Sequence, residues 1–510
     1  MNFTWLDWFT VVAFISLTTV VAFLTRRFIT NYDSFLLAGR NLKLYLAMAT
    51  MGATELGLVT LMYFSQQGYA SGFAAFSVGA ISLVGFIFVG KTGFIIKGLR
   101  RLRCRTIAEF FGLRYNRGTQ VAAAFITFVA GMMNMGMFLV MGALFLLHMV
   151  GLPTAALPYL MVGLLVLVLA YTVVGGMVSV VLTDYIQFII LFTGVLLTTY
   201  FAIDHIGYGN LIQVVQDEYG AGGFDPFANA DLGWWFIVWF SINALFSGMW
   251  PPAMSRALST TGSEITQKLY RFVGFSFLGR ALLPMIWGIC ALAFFKMNPT
   301  LSLPMLEDGS GPNTAAAMPV FLSHILPMGV RGLMAAAALS AMMSTFDSYL
   351  LCWSSIFVND IWVPLRKGAT SDAQKILYTR IAVVICGLIV MLWGYFYSPP
   401  QTVLRFMAIT GTMYSASVLL SIAMGLYWKR ANAWGTGISL FIAGTLPLAA
   451  IFLKDVDMPF VLQWLTDDRK AGVATFILSF AGMVLGSLAT QRLSPPKVLH
   501  YPQDNEENDQ

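Results

Sequence analysis

Apolar residues dominate thirteen stretches of the chain, each close to the roughly 20 residues that a helix needs to cross the hydrocarbon of a bilayer. They cover 7–25, 44–66, 74–96, 119–149, 157–174, 177–202, 232–252, 271–296, 331–357, 379–397, 402–427, 435–453 and 472–490. This pattern predicts an all-α membrane protein with thirteen transmembrane helices. Polar and turn-forming residues fall between the stretches and build no separate soluble block. The stretch 119–149 exceeds a simple crossing, so it should tilt or extend beyond the bilayer. After Arg492 the chain becomes polar and acidic, a composition that buries no core and is expected to stay disordered.

Two stretches are interrupted by helix breakers. The second contains Met51-Gly52-Ala53-Thr54-Glu55-Leu56-Gly57, and the seventh contains Ser247-Gly248-Met249-Trp250-Pro251-Pro252. The breaks lie five spans apart. If spans two to six form one repeat and spans seven to eleven another, both breaks fall in the first helix of a repeat. An odd number of spans per repeat inverts its copy. Paired broken helices at matching positions mark binding sites in transporters. Unwinding frees carbonyls and helix-end dipoles that can ligate an ion without a buried formal charge.

Composition agrees with the pattern. Of 510 residues, 58% are apolar and only 11% charged, and mean hydropathy is +0.75. A soluble chain carries about 25% charged residues. The net charge of +6 is therefore no nucleic-acid footprint, because its location matters more than its sum. Cys104, Cys290, Cys352 and Cys386 form no CxxC pair and read as free thiols. There is no HExxH, no P-loop and no GxGxxG after a strand, so no enzyme, nucleotide or cofactor is expected. The first stretch is followed by Arg26 and Arg27, which suits a retained span and not a cleaved leader.

Lysine and arginine set the orientation. Alternate loops on one side hold 22 of the 30, with the densest cluster from Lys97 to Arg117 and a smaller one at Arg256, Lys268 and Arg271. That side is expected to face the cytoplasm of a bacterial inner (plasma) membrane. The N-terminus is then outside and the C-terminus inside, as an odd span count requires. Cys104 lies in the densest loop and would report its side by thiol labelling if solvent-exposed. The outer loops Asp204 to Asp231 and Pro304 to Pro312 (with Glu307 and Asp308) are acidic and read as solvated connectors.

Span nine carries Ala341-Met342-Met343-Ser344-Thr345-Phe346-Asp347-Ser348. Sodium, a hard cation, takes oxygen ligands. Two hydroxyls and the Ala341 carbonyl, one turn before Thr345, supply half of such a site, although Ser and Thr also bond back to their own helix. Glu55, at a mid-membrane break, must be paired, protonated or liganded. Its partner is sodium, a cationic group of the solute, a proton or Arg280, and an Asp347–Arg280 pair is the alternative. Trp239, Asn243 and Trp250 are deep enough in span seven to contact a solute.

Tyr32-Asp33-Ser34-Phe35-Leu36-Leu37-Ala38-Gly39-Arg40 resembles the DFxLAGR segment of the sodium:solute symporter family. Tyr171-Thr172-Val173-Val174-Gly175-Gly176-Met177, with Thr183-Asp184-Tyr185-Ile186-Gln187, resembles its YTxxGGMxAVxxTDxxQ signature, and Ala341 to Ser348 its AMMSTLDS segment. The resemblance implies a LeuT-type fold of two inverted five-helix repeats with extra helices at both ends. It divides the chain at 1–43, 44–202, 203–231, 232–427, 428–491 and 492–510. It implies sodium-driven import of a small solute, with sodium held by backbone oxygens of Ala53 and Leu56 and by Ala341, Ser344 and Thr345. Asp184 is expected near the ion path, and it is an intramembrane carboxylate. Glu55 departs from common members, which have a small polar residue or Asp there. A membrane-embedded solute sensor or regulatory subunit of the same fold is the alternative, weakened because no kinase segment follows the last span.

Overall fold

The computed structural model describes residues 3–25, 32–306, 311–366, 369–396, 403–453 and 459–501. Arg26, Arg27, Glu307 and Asp308, named above, and residues 502–510 of the tail lie outside it. Among the described residues there is no β-strand, as expected where lipid offers no hydrogen bonds and each backbone group must be satisfied within its own helix.

The main helices are α1 (Trp5–Thr25), α2 (Leu44–Glu55), α3 (Leu58–Ser71), α4 (Phe76–Thr92), α5 (Arg117–Val150), α6 (Leu157–Ile206), α7 (Gly233–Ala244), α8 (Pro251–Leu258) and α9 (Ser263–Met297). They continue with α10 (Val330–Ile356), α11 (Asp372–Phe396), α12 (Val403–Tyr427), α13 (Ala433–Phe452) and α14 (Asp468–Ala489). Among the described residues, ten segments are long and apolar enough to cross a membrane unaided. The expected thirteen are not recovered by that measure, and the reasons are local. The stretch 58–92 counts as one segment although it turns at Gly72. Glu55, just before its first leg, and Ser65 within that leg meet Arg280 and Gly288, whereas Gly79 and Gly90 of its second meet Ala281 and Arg271. The two legs therefore run in opposite directions along α9. The first half of α6 is short, and α7 is separated from α8 by a break.

Within α6 the chain kinks at Gly176, whose φ of +54° and ψ of −170° suit glycine alone. A Cβ there would lie 2.6 Å from the Phe35 ring. The centre of the bundle is α10: every residue of its most apolar window is buried, against 28% for α1 and 33% for α11, which lie at the edge. Asp7 ties α1 to α10, its Oδ1 accepting from the Gly329 and Gly332 amides at 2.8 Å each. These are helix-start amides that have no partner of their own.

Several loop expectations change. The acidic 204–231 segment is not a plain connector, because Tyr208–Tyr219 is helical and Asp231 pairs with Arg405 at 2.8 Å. Arg114 is buried, not solvated, and donates to the carbonyls of Gly425, Trp428 and Lys497, so part of the tail is anchored. Cys104 is also buried, as are the other three cysteines. Burial, with Glu109 nearby, pushes its thiol up. Cys104 should therefore resist maleimide from either side of the membrane in the folded protein, and mass spectrometry should find it modified only after denaturation. Rapid labelling of intact protein would contradict this burial.

Candidate functional site

The α2 helix ends at Glu55 because Leu56 (φ −87°, ψ 57°) and Gly57 (φ −71°, ψ 157°) leave helical geometry before α3 restarts. The last carbonyls of α2 thus lose their intrahelical partners. They meet α10 instead. Ser344 Oγ lies 3.0 Å from the Ala53 carbonyl and 3.3 Å from that of Ala341. Thr345 Oγ1 lies 2.9 Å from the Thr54 carbonyl and 2.8 Å from that of Ala341. Two hydroxyl hydrogens face three carbonyls and the hydroxyls' own lone pairs. Acceptors outnumber donors, so the donor set fits a hard cation.

A turn further along lies a buried charge cluster. Asp184, Arg256 and Asp347 are fully buried. Asp184 Oδ2 accepts from Thr50 at 2.6 Å and Thr54 at 3.4 Å, and lies 3.6 Å from Arg256 Nη2. Arg256 also donates to Ser348 Oγ, to the Pro252 carbonyl at 3.3 Å and to Ser255 Oγ at 3.2 Å. Ser348 in turn donates to Asp347 Oδ1 at 3.1 Å. The cluster joins both broken helices, α6 and α10.

On the other side of the break a cavity of about 140 Å³ opens. Glu55, Arg280, Tyr63, Trp250, Tyr349 and Thr345 are among its lining residues. Arg280 Nη1 lies 3.5 Å from Glu55 Oε2 and donates to the Glu55 carbonyl. Its guanidinium carbon sits 3.7 Å over the Phe277 ring. Thr345 thus belongs both to the oxygen ring and to the cavity wall.

The family model of the sodium:solute symporter family matches residues 35–443. The chain belongs to the sodium:solute symporter family. It is 27% identical over 458 residues to the sodium/glucose cotransporter of Vibrio parahaemolyticus, covering 85% of this chain and 82% of that one. It is 26% identical over 280 residues to the sodium/pantothenate symporter of Haemophilus influenzae, covering 52% and 53%. Among solved structures, a sodium-coupled sialic acid symporter in a substrate-bound outward-open state superposes with a TM-score of 0.78 at 20% identity, over 98% of this chain and 100% of that one. That likeness shows a shared LeuT-type fold. As a member of the sodium:solute symporter family, the chain is a transporter and not an enzyme, and sodium is its coupling ion.

Within this family member the structure brings Ala53, Ala341, Ser344 and Thr345 together, with Leu56 at the break itself. Of the three deep residues of span seven, Trp250 lines the cavity. Trp239 does not: it is fully buried, its indole donating to Thr412 at 2.8 Å, against Gly472. Asn243 donates to the Trp239 carbonyl and accepts from Ser415 at 2.7 Å, also away from the cavity. Arg280 pairs with Glu55, while Asp347 faces Ser348 and Arg256. Sequence reasoning missed Arg256, counted there as a loop cation. The signal available was its place in Pro-Pro-Ala-Met-Ser-Arg, just after a break.

Proposed function

We propose that the protein imports a small organic solute together with sodium by alternating access. In this reading thirteen helices cross the plasma membrane, with 44–202 and 232–427 as inverted five-helix repeats, the N-terminus outside and the C-terminus in the cytoplasm. Helix α1 and the pair in 428–491 flank the repeats. Sodium sits between α2 and α10 on the Ala53, Leu56 and Ala341 carbonyls and the Ser344 and Thr345 hydroxyls. The observation that carries the reading is the 2.9–3.0 Å approach of the two hydroxyls to carbonyls released by the break. Thr345 also borders the solute cavity, so ion and solute occupancy share a side chain, and each should favour the other.

Asp184 takes a supporting role here, holding Thr50 and Thr54 of α2 in register behind the ion. Replacing Ser344 and Thr345 together with alanine removes two ligands, each contributing on the order of 1 kcal/mol. The sodium concentration for half-maximal uptake in proteoliposomes should rise tenfold or more. Unchanged sodium dependence in a well-expressed double variant would remove sodium from this site.

A further inference from the structure

The cavity beside the break holds opposite charges, and both have bonding capacity left over. Glu55 and Arg280 side chains are 9% and 14% exposed. Glu55 Oε1 and Arg280 Nε are buried without a hydrogen-bond partner. Buried polar atoms are normally satisfied, and because both residues line the cavity, their loose pairing leaves capacity that groups of a ligand take up once the side chains turn to meet it. We infer that the solute is a compact zwitterion carrying one carboxylate and one ammonium or quaternary ammonium, as in an amino acid or a betaine. The inference rests on the reading of this cavity as the solute site.

Charge balance favours that class. The Glu55–Arg280 pair is neutral as a unit. A lone anion drawn to Arg280 competes with Glu55 and leaves a desolvated carboxylate uncompensated; a lone cation on Glu55 does the converse to Arg280. Stranding a buried charge in this way is costly. A zwitterion offers its carboxylate to the guanidinium and its cationic group to Glu55, so every charge keeps a partner through charge-assisted bonds. The 3.5 Å separation of the pair suits a solute whose two charges are also close together. The aromatic faces of Tyr63, Trp250 and Tyr349 on the wall supply further sites for a cationic group.

A polyol fits less well. Its hydroxyls offer no charge to either member of the pair, and two of the neutral side chains on this wall are already engaged. Asn134 donates to Thr410 at 2.7 Å, and Thr60 donates to the Glu55 carbonyl at 3.4 Å.

The test is thermal stabilisation of the full chain in nanodiscs, with and without sodium. The probes are glycine betaine, the standard protein amino acids, D-glucose, myo-inositol and pantothenate, followed by analogues of the best zwitterion that lack either charge. At least one zwitterion should stabilise the protein in sodium, and both single-charge analogues should bind at least tenfold more weakly. Glu55→Gln should weaken the zwitterion by a similar factor. If that variant does not fold, the analogue series on the unaltered protein decides. Stabilisation by D-glucose, myo-inositol or pantothenate alone, or by no zwitterion in the set, overturns the inference. The shift produced by sodium without any solute, and its loss in the Ser344→Ala/Thr345→Ala variant, tests the ion site separately.

Discussion

Replacing Arg256 with alanine should destabilise the folded protein by about 3–5 kcal/mol and abolish uptake. The side chain is fully buried and is the cation facing Asp184 and Asp347, both of which are fully buried too. Its removal strands two carboxylates where no water can reach them. It also takes donors from Ser348, Ser255 and the Pro252 carbonyl. Arg256→Lys should lie between, because an ammonium restores the charge but not the planar fork that reaches several acceptors at once. The double variant Arg256→Met/Asp184→Asn should be more stable than Arg256→Ala, since it removes one of the stranded charges along with the cation. Thermal unfolding in detergent, followed by loss of the monodisperse species, measures the series. Wild-type stability in Arg256→Ala would mean that the cluster carries no net stabilisation.

That residue also marks the limit of what the sequence discloses. The all-helical membrane architecture was legible, though not a count of thirteen crossings, because a lipid environment permits little besides apolar helices, and the two breaks were legible because glycine and proline disrupt them. The Ser344–Thr345 pair stood out as adjacent hydroxyls in an apolar run. Arg256 did not, because counting basic residues in loops treats each one as solvated. Only the fold carries α8 back inward, so that Arg256 meets Asp184, 72 positions away in sequence. The same error affected Arg114, which is spent on backbone carbonyls. Trp239 had the depth of a solute contact, but depth along a helix does not specify the face, and its face meets α12 and α14. The pairing of Glu55 was one of several alternatives in the sequence, and only the packing of α9 beside the break selected Arg280.

That packing makes a second large effect predictable. Gly68 of α3 and Gly288 of α9 lie where the two backbones touch. A Cβ on Gly288 would sit 1.9 Å from the Ser65 carbonyl oxygen and 2.6 Å from the Tyr69 amide nitrogen. One on Gly68 would sit 2.1 Å from the Met285 carbonyl oxygen. All three obstacles are backbone atoms, so no rotamer change relieves the clash and the helices must part. In a bilayer, helix pairs hold chiefly by such close contact, because lipid already solvates their apolar faces. Overpacking a well-fitted interface typically costs about 1–3 kcal/mol, occasionally more. The cost here also falls on function, since α3 begins beside Glu55 and α9 carries Arg280, eight residues before Gly288. Gly288→Ala should therefore lower thermal stability and sodium-driven uptake together. Gly279→Ala is the control on the same helix, for a Cβ there meets nothing within 4 Å, and alanine is the better helix former. It should leave both properties unchanged or slightly improve stability. Equal behaviour of the two variants would mean that α3 and α9 do not pack this closely, and that the Glu55–Arg280 pair does not depend on their contact.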